Sequence, residues 1–192
     1  MKQQKLSDAI KKIAWGYIFL HINFNLNTIN ILPNWVAYIL FVQALPTLGE
    51  EEESANLLKP LGILLGILEG IYWINTGFLG GELPTGVIDI ITSVLSLYFH
   101  FQLLTNLATI AHKYECSQEK KLLKLRTVKT ILTTVITITN TFLIVNGAIY
   151  VIIIALLVIT IWICSVIFSF KNELESKWNK TVTTNPQGEV IL

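Results

Sequence analysis

Residues 130–170 contain no Asp, Glu, Lys or Arg, an unbroken run of 41 residues in a chain of 192. One crossing of a bilayer's hydrocarbon core takes about 20 apolar residues at about 1.5 Å each. A run of twice that length must cross twice, and Asn146-Gly147 is the turn dipeptide at which it doubles back. The rest of the chain shows the same pattern. Residues 13–49 carry no formal charge, residues 60–81 carry only Glu69, and residues 83–112 carry only Asp89. Charged residues make up 14% of the chain, against about 25% in a soluble domain whose surface must be wet.

The spacing predicts spans at 13–30, 34–48, 60–79, 84–111, 128–145 and 148–170. The expected fold is therefore an all-α polytopic membrane helix bundle. It has about six transmembrane helices, arranged as three hairpins with both ends on the cytoplasmic side. Residues 1–170 form the transmembrane domain, and residues 171–192 are expected to be a mobile, polar cytoplasmic tail. Span 34–48 is short and holds Pro46, so it either crosses at a tilt or forms half of a re-entrant hairpin with the first span. The basic N-terminus resembles a signal-peptide n-region. The run behind it, however, holds His21, Asn23, Asn25 and Asn27 and lacks a small-residue cleavage site, which predicts a retained first helix.

Orientation follows from the basic residues. With the N-terminus inside, segments 1–12, 49–59, 112–129 and 171–192 hold all 14 Lys and Arg, and the three short outer turns hold none. A cell-membrane, multi-pass protein is expected. Two of the outer turns carry Leu-Pro, at Leu32-Pro33 and Leu83-Pro84.

Few polar residues remain at membrane depth, and these are the functional candidates. Glu69 lies mid-span, where an acidic side chain costs about 2.5–3.5 kcal/mol to insert. Such residues line ion, proton or substrate paths, or hydrogen-bond between helices. His21 and His100 fall at comparable depth and, with Glu69, could form a buried polar cluster that binds a small solute or relays a proton. The alternative for each is a histidine satisfied between helices. Asp89 lies about one turn into its span, where a helix start favours a carboxylate or where an outward-facing contact could sit. Asn23, Asn27 and Asn30 share a helical face while Asn25 does not. The alternation predicts either a polar vestibule or a chain that has left the helix on its way to Pro33.

Other patterns read as packing. Gly62, Gly66 and Gly70 recur every four residues and give one helix a flat face. Thr130, Thr134, Thr137 and Thr141 form a hydroxyl stripe that can be satisfied on its own backbone or line a polar cavity. The run Lys120-Lys121-Leu122-Leu123-Lys124-Leu125-Arg126 suits anionic headgroups at the cytoplasmic face. Cys116 and Cys164 are expected to be unpaired thiols. The sequence holds no His-Glu-x-x-His, no Gly-x-Ser-x-Gly, no phosphate-binding glycine loop and no Cys-x-x-Cys. Nothing in it calls for a metal, a cofactor or nucleic acid.

Two readings remain. One is a small-solute binding or transport component with a polar intramembrane cavity, whose partners are the bilayer, a small polar solute and a further membrane or cytoplasmic subunit. In size and topology alone, such a chain is similar to the substrate-binding subunits of energy-coupling-factor vitamin transporters. Those subunits tend to carry an Ala-x-x-x-Ala surface on the first helix, and Ala9 and Ala14 here have a different spacing. The other reading is a non-catalytic accessory or assembly protein, acting through its glycine face and basic loop. An intramembrane enzyme has the least support, because no nucleophile or metal site accompanies Glu69 and the histidines.

Overall fold

The structure, a computed structural model, describes residues 2–21, 25–26, 29–30, 33–79, 86–142 and 148–183. Among these residues six helices make the fold: α1 (Lys2–His21), α2 (Asn34–Gly49), α3 (Leu58–Ile74), α4 (Gly86–Lys113), α5 (Glu119–Phe142) and α6 (Ala148–Thr183). A 3-10 turn, Glu53–Leu57, leads into α3, and a π-helical turn, Asn75–Leu79, continues it. Asn25 pairs with Asn30 and Leu26 with Ile29 in a two-residue antiparallel ladder. The helix thus ends at His21, as the every-second-residue asparagines allowed. Asn23 and Asn27 themselves lie outside the described residues.

Segments 53–78, 88–113 and 154–180 are long and apolar enough to cross a bilayer. Their outward faces carry Ile63, Ile67, Ile71, Ile91, Val94, Leu157 and Ile161, all exposed. Water would penalise so broad an apolar surface, and lipid does not. These are the features of a membrane protein.

Each helix packs on its neighbours in sequence, and α1 also packs along α6, which closes the series into a ring. Polar contacts gather the inner ends of the hairpins. Glu51, just past α2, takes Lys2 at 3.0 Å, Lys113 at 2.6 Å and the Tyr114 hydroxyl at 3.1 Å. Glu173 on α6 accepts from the backbone N–H of Ser117 at 2.9 Å and from its hydroxyl at 2.8 Å. Ser7 donates to Glu175, which also takes Lys171 at 2.7 Å. The start of α1, the end of α2, the α4–α5 turn and the far part of α6 therefore meet at one end of the molecule.

Two expectations are corrected there. The segment 112–129 is not a loop: α4 runs to Lys113 and α5 begins at Glu119. Lys120, Lys121 and Lys124 ride exposed on a helix whose other face buries Leu122 and Leu125. Nor does a break fall at residue 170. The helix continues to Thr183, Leu174 is buried, and Trp178 packs edge-on against Tyr114 at 5.9 Å.

This polar end gives the fold a pH dependence. Burial pushes the Glu51 carboxyl up, but the hydrogen bonds from Lys113, Lys2 and Tyr114 outweigh it and hold the group below its ordinary 4.5. A depressed carboxyl stabilises the fold above the unfolded pKa, and that contribution is lost as pH falls through the folded value. Thermal midpoints should therefore fall as the protein is acidified below about pH 4.5. Glu51→Gln should lower the midpoint near neutrality and flatten that slope. An unchanged slope would exclude Glu51 as its source.

The core is aromatic. Phe41 is fully buried, with ring centroids of Tyr17, Phe99, His100 and Tyr38 at 5.3, 5.7, 5.8 and 5.9 Å. It also lies over Gly16, where an added Cβ would meet the Phe41 ring at 2.4 Å. Gly62 and Gly66 face α2, with Val42 and Tyr38 within 3.0 and 3.2 Å of an added Cβ. Gly70 is a correction to the predicted stripe, since nothing lies within 4 Å of a Cβ there. Gly16→Ala should cost about 1–3 kcal/mol by overpacking a ring that is hemmed in on all sides. Gly70→Ala should be neutral or stabilising by up to about 1 kcal/mol. Thermal unfolding of the two purified variants separates these outcomes.

Candidate functional site

Inside the ring is a cavity of about 260 Å³, just below the roughly 300–1,000 Å³ of ordinary small-molecule pockets. His21, Glu69 and His100, the candidates singled out at membrane depth, all line it. Asn34 and Tyr38 from α2, Ser96 from α4, and Arg126, Lys129, Thr130 and Thr133 from α5 join them. Asp89 stands apart in the first turn of α4, exposed to the outside and not on the cavity wall.

α1 ends in the cavity wall at His21, whose ring hydrogen-bonds Tyr17's carbonyl at 3.2 Å through Nδ1. A carbonyl can only accept, so Nδ1 carries the proton and Nε2 is left as the acceptor. Lys129 Nζ donates to that Nε2 at 3.3 Å. The same ammonium lies 5.7 Å above the Tyr17 ring centroid. Lys129 is only 8% exposed.

His100, 4% exposed, sits mid-helix in α4. Its Nδ1 lies 3.3 Å from the Tyr17 hydroxyl, and its Nε2 is buried with no hydrogen-bond partner among the described residues. Tyr17 therefore holds both histidines, one through its backbone and one through its hydroxyl. Glu69 accepts from the Asn34 side-chain amide at 3.1 Å, and Asn34 Oδ1 is itself buried without such a partner. Tyr38 and Ser96 bridge α2 and α4 at 3.3 Å.

Arg126 donates to Thr105 at 3.2 Å, and its guanidinium carbon lies 4.5 Å from the Phe101 ring centroid. Its Nε is buried and likewise unpartnered. The three atoms, His100 Nε2, Arg126 Nε and Asn34 Oδ1, belong to residues of α4, α5 and α2 that line the cavity, but each is itself closed off by its surroundings. A buried polar group left unpaired costs about 1–3 kcal/mol, so this polar lining is costly to the fold.

The predicted threonine stripe resolves unevenly. Thr130 lines the cavity while donating to Arg126's carbonyl at 2.8 Å, and Thr137 donates to Thr133's carbonyl at 3.0 Å. Thr134 faces outward, and the Thr141 side chain lies outside the described residues. Cys116 and Cys164 are free, buried thiols, as the sequence suggested. No three His, Cys, Asp or Glu side chains among the described residues converge as metal ligands would.

Lys129, Arg126, Asn34, Tyr17 and Thr133 did not emerge as candidates from the sequence. For Lys129 a signal existed. Leu122, Leu125 and Lys129 are three and four residues apart, which puts Lys129 on the buried face of α5.

No family model, no curated protein and no solved structure matches the chain.

Proposed function

We propose that the protein is a small-solute binding or transport component of the cell membrane. Its solute sits in the cavity at the centre of the six helices. One observation carries this reading: charged and polar side chains that are expensive at membrane depth, Glu69, Arg126 and Lys129 with His21 and His100, converge on one cavity. A scaffold could satisfy its polar groups pairwise and has no use for such a space.

In this reading all six helices cross, with both ends inside. The meeting of Lys2, Glu51, Lys113, Ser117 and Glu173 at one end supports it, because neighbouring helices that share an end in this way run antiparallel. With Arg126 and Lys129 on the cavity wall, the basic residues that orient the chain number 12 of the 14, still all on one side. The accessory reading loses part of its basis, because Gly62 and Gly66 are covered by α2 within the chain.

Native mass spectrometry of the protein purified in mild detergent tests the proposal. A near-stoichiometric small molecule is expected on the unaltered chain, reduced at least about tenfold on Glu69→Gln or His100→Ala. A bare protein, or one carrying only another membrane chain, would return the accessory reading.

A further inference from the structure

We infer that the cavity binds an organic oxyanion, with a carboxylate or phosphate group seated between Arg126 and Lys129. This rests on the binding reading above and names the class of its ligand. Glu69, Arg126 and Lys129 are the cavity's formally charged residues once the histidines are counted as neutral, so its walls carry two positive charges and one negative, +1 overall. Neither cation has a carboxylate partner among the ion pairs of the described residues. Among the described residues the Lys129 ammonium meets a histidine nitrogen and an aromatic face, and Arg126 meets one hydroxyl and an aromatic face. Buried cations are ordinarily paired, because their desolvation is otherwise uncompensated. Here the missing counter-charge is the ligand's.

The cavity is also polarised along its length. Arg126 meets α4 at Thr105, whereas Tyr38 meets it at Ser96, nine residues or roughly 13–14 Å further along the helix. Asn34 lies about a turn beyond Tyr38 on α2, and Glu69 of α3 accepts its hydrogen bond there. The anion end thus lies towards the cytoplasmic end of the bundle. The Glu69 carboxylate makes an acceptor end suited to a hydroxyl or amine of the same molecule. A cation or a neutral apolar solute would leave Arg126 and Lys129 uncompensated.

Charge selectivity can be read without knowing the ligand. A cysteine placed at Thr133 on the cavity wall, in full-length protein carrying Cys116→Ala and Cys164→Ala, is reconstituted in phosphatidylcholine vesicles. It is then labelled with methanethiosulfonate reagents of similar size, one bearing a sulfonate and one a quaternary ammonium. With rates normalised to free 2-mercaptoethanol, the anionic reagent should react about tenfold faster. That ratio should fall towards one when Arg126→Gln and Lys129→Gln are added. Lys129→Met alone keeps the comparison open if the double variant does not fold.

Equal rates, or a faster cationic reagent, would overturn the oxyanion inference and leave the binding reading standing. No reaction with either reagent would remove both. Phenyl phosphate and vesicles enriched in phosphatidylglycerol then identify the source. Protection by the first marks a free solute and by the second a lipid headgroup, and protection by neither overturns the inference.

Discussion

Replacing Phe41 by alanine is expected to cost about 3–5 kcal/mol, more than any other single truncation in the bundle. The ring is fully buried and is walled by Tyr17, Tyr38, Phe99 and His100 at 5.3–5.9 Å. Helix association in lipid rests on packing and interhelical hydrogen bonds, because the lipid tails are as apolar as the core. Removing the Phe41 ring therefore forfeits packing that no weaker solvent penalty elsewhere offsets. Four aromatic neighbours and the α1 backbone at Gly16 form a stiff wall, so the space left behind can close only partly.

The damage also reaches the cavity. Phe41 buttresses His100 on the cavity wall and Tyr17 behind it, which are hydrogen-bonded to one another. Phe41→Ala should thus reduce ligand occupancy as well as the thermal midpoint, while Phe41→Leu should lose roughly half as much stability and keep its ligand. A midpoint for Phe41→Ala within about a degree of the unaltered protein would show that α1 and α2 do not pack as described.

Lys129 should give the opposite sign. It is buried, lacks a carboxylate partner and has His21 as its only hydrogen-bonded neighbour among the described residues. Replacing buried charge by a well-packed apolar group of similar volume is neutral or stabilising by about 1–4 kcal/mol. Lys129→Met keeps the length of the stem and its contact with the Tyr17 ring, and removes only the ammonium. The variant is expected to unfold at a higher temperature than the unaltered protein and to lose its ligand. A structural lysine would behave in reverse: the variant would be destabilised, with any co-purifying molecule unaffected. Opposed changes in stability and occupancy are what separate a residue retained for binding from one retained for folding.

Much of the fold was legible because lipid is an unforgiving solvent. It excludes charge for whole spans, so the uncharged stretches predicted α3, α4 and the start of α6 closely, and Pro33 falls just ahead of α2. It also makes Glu69, His21 and His100 conspicuous, and all three line the same cavity. What was not legible lies where two signals overlap. Lys129 ends a run of basic residues that sets sidedness, and charge counting absorbed it. Only the register of α5, which aligns it with Leu122 and Leu125, shows its side chain turning inward.

The glycines show a second limit. A repeat such as Gly62, Gly66 and Gly70 is visible in one segment, but whether each member is covered depends on another helix, and at Gly70 none is close. Gly16 has no repeat to announce it. Its importance comes from Phe41, 25 residues away and on a different helix. Tyr17 holds two histidines by its backbone and its hydroxyl, a role that no local pattern encodes.

The central claim is that a solute occupies the space between these helices, and filling that space tests it most directly. Thr133→Trp puts an indole into the cavity from a wall position that holds no charge. Native mass spectrometry and thermal unfolding of this variant should show the small molecule gone and the midpoint unchanged or raised. An unaltered protein with no small molecule, or a Thr133→Trp variant that retains one, would contradict it.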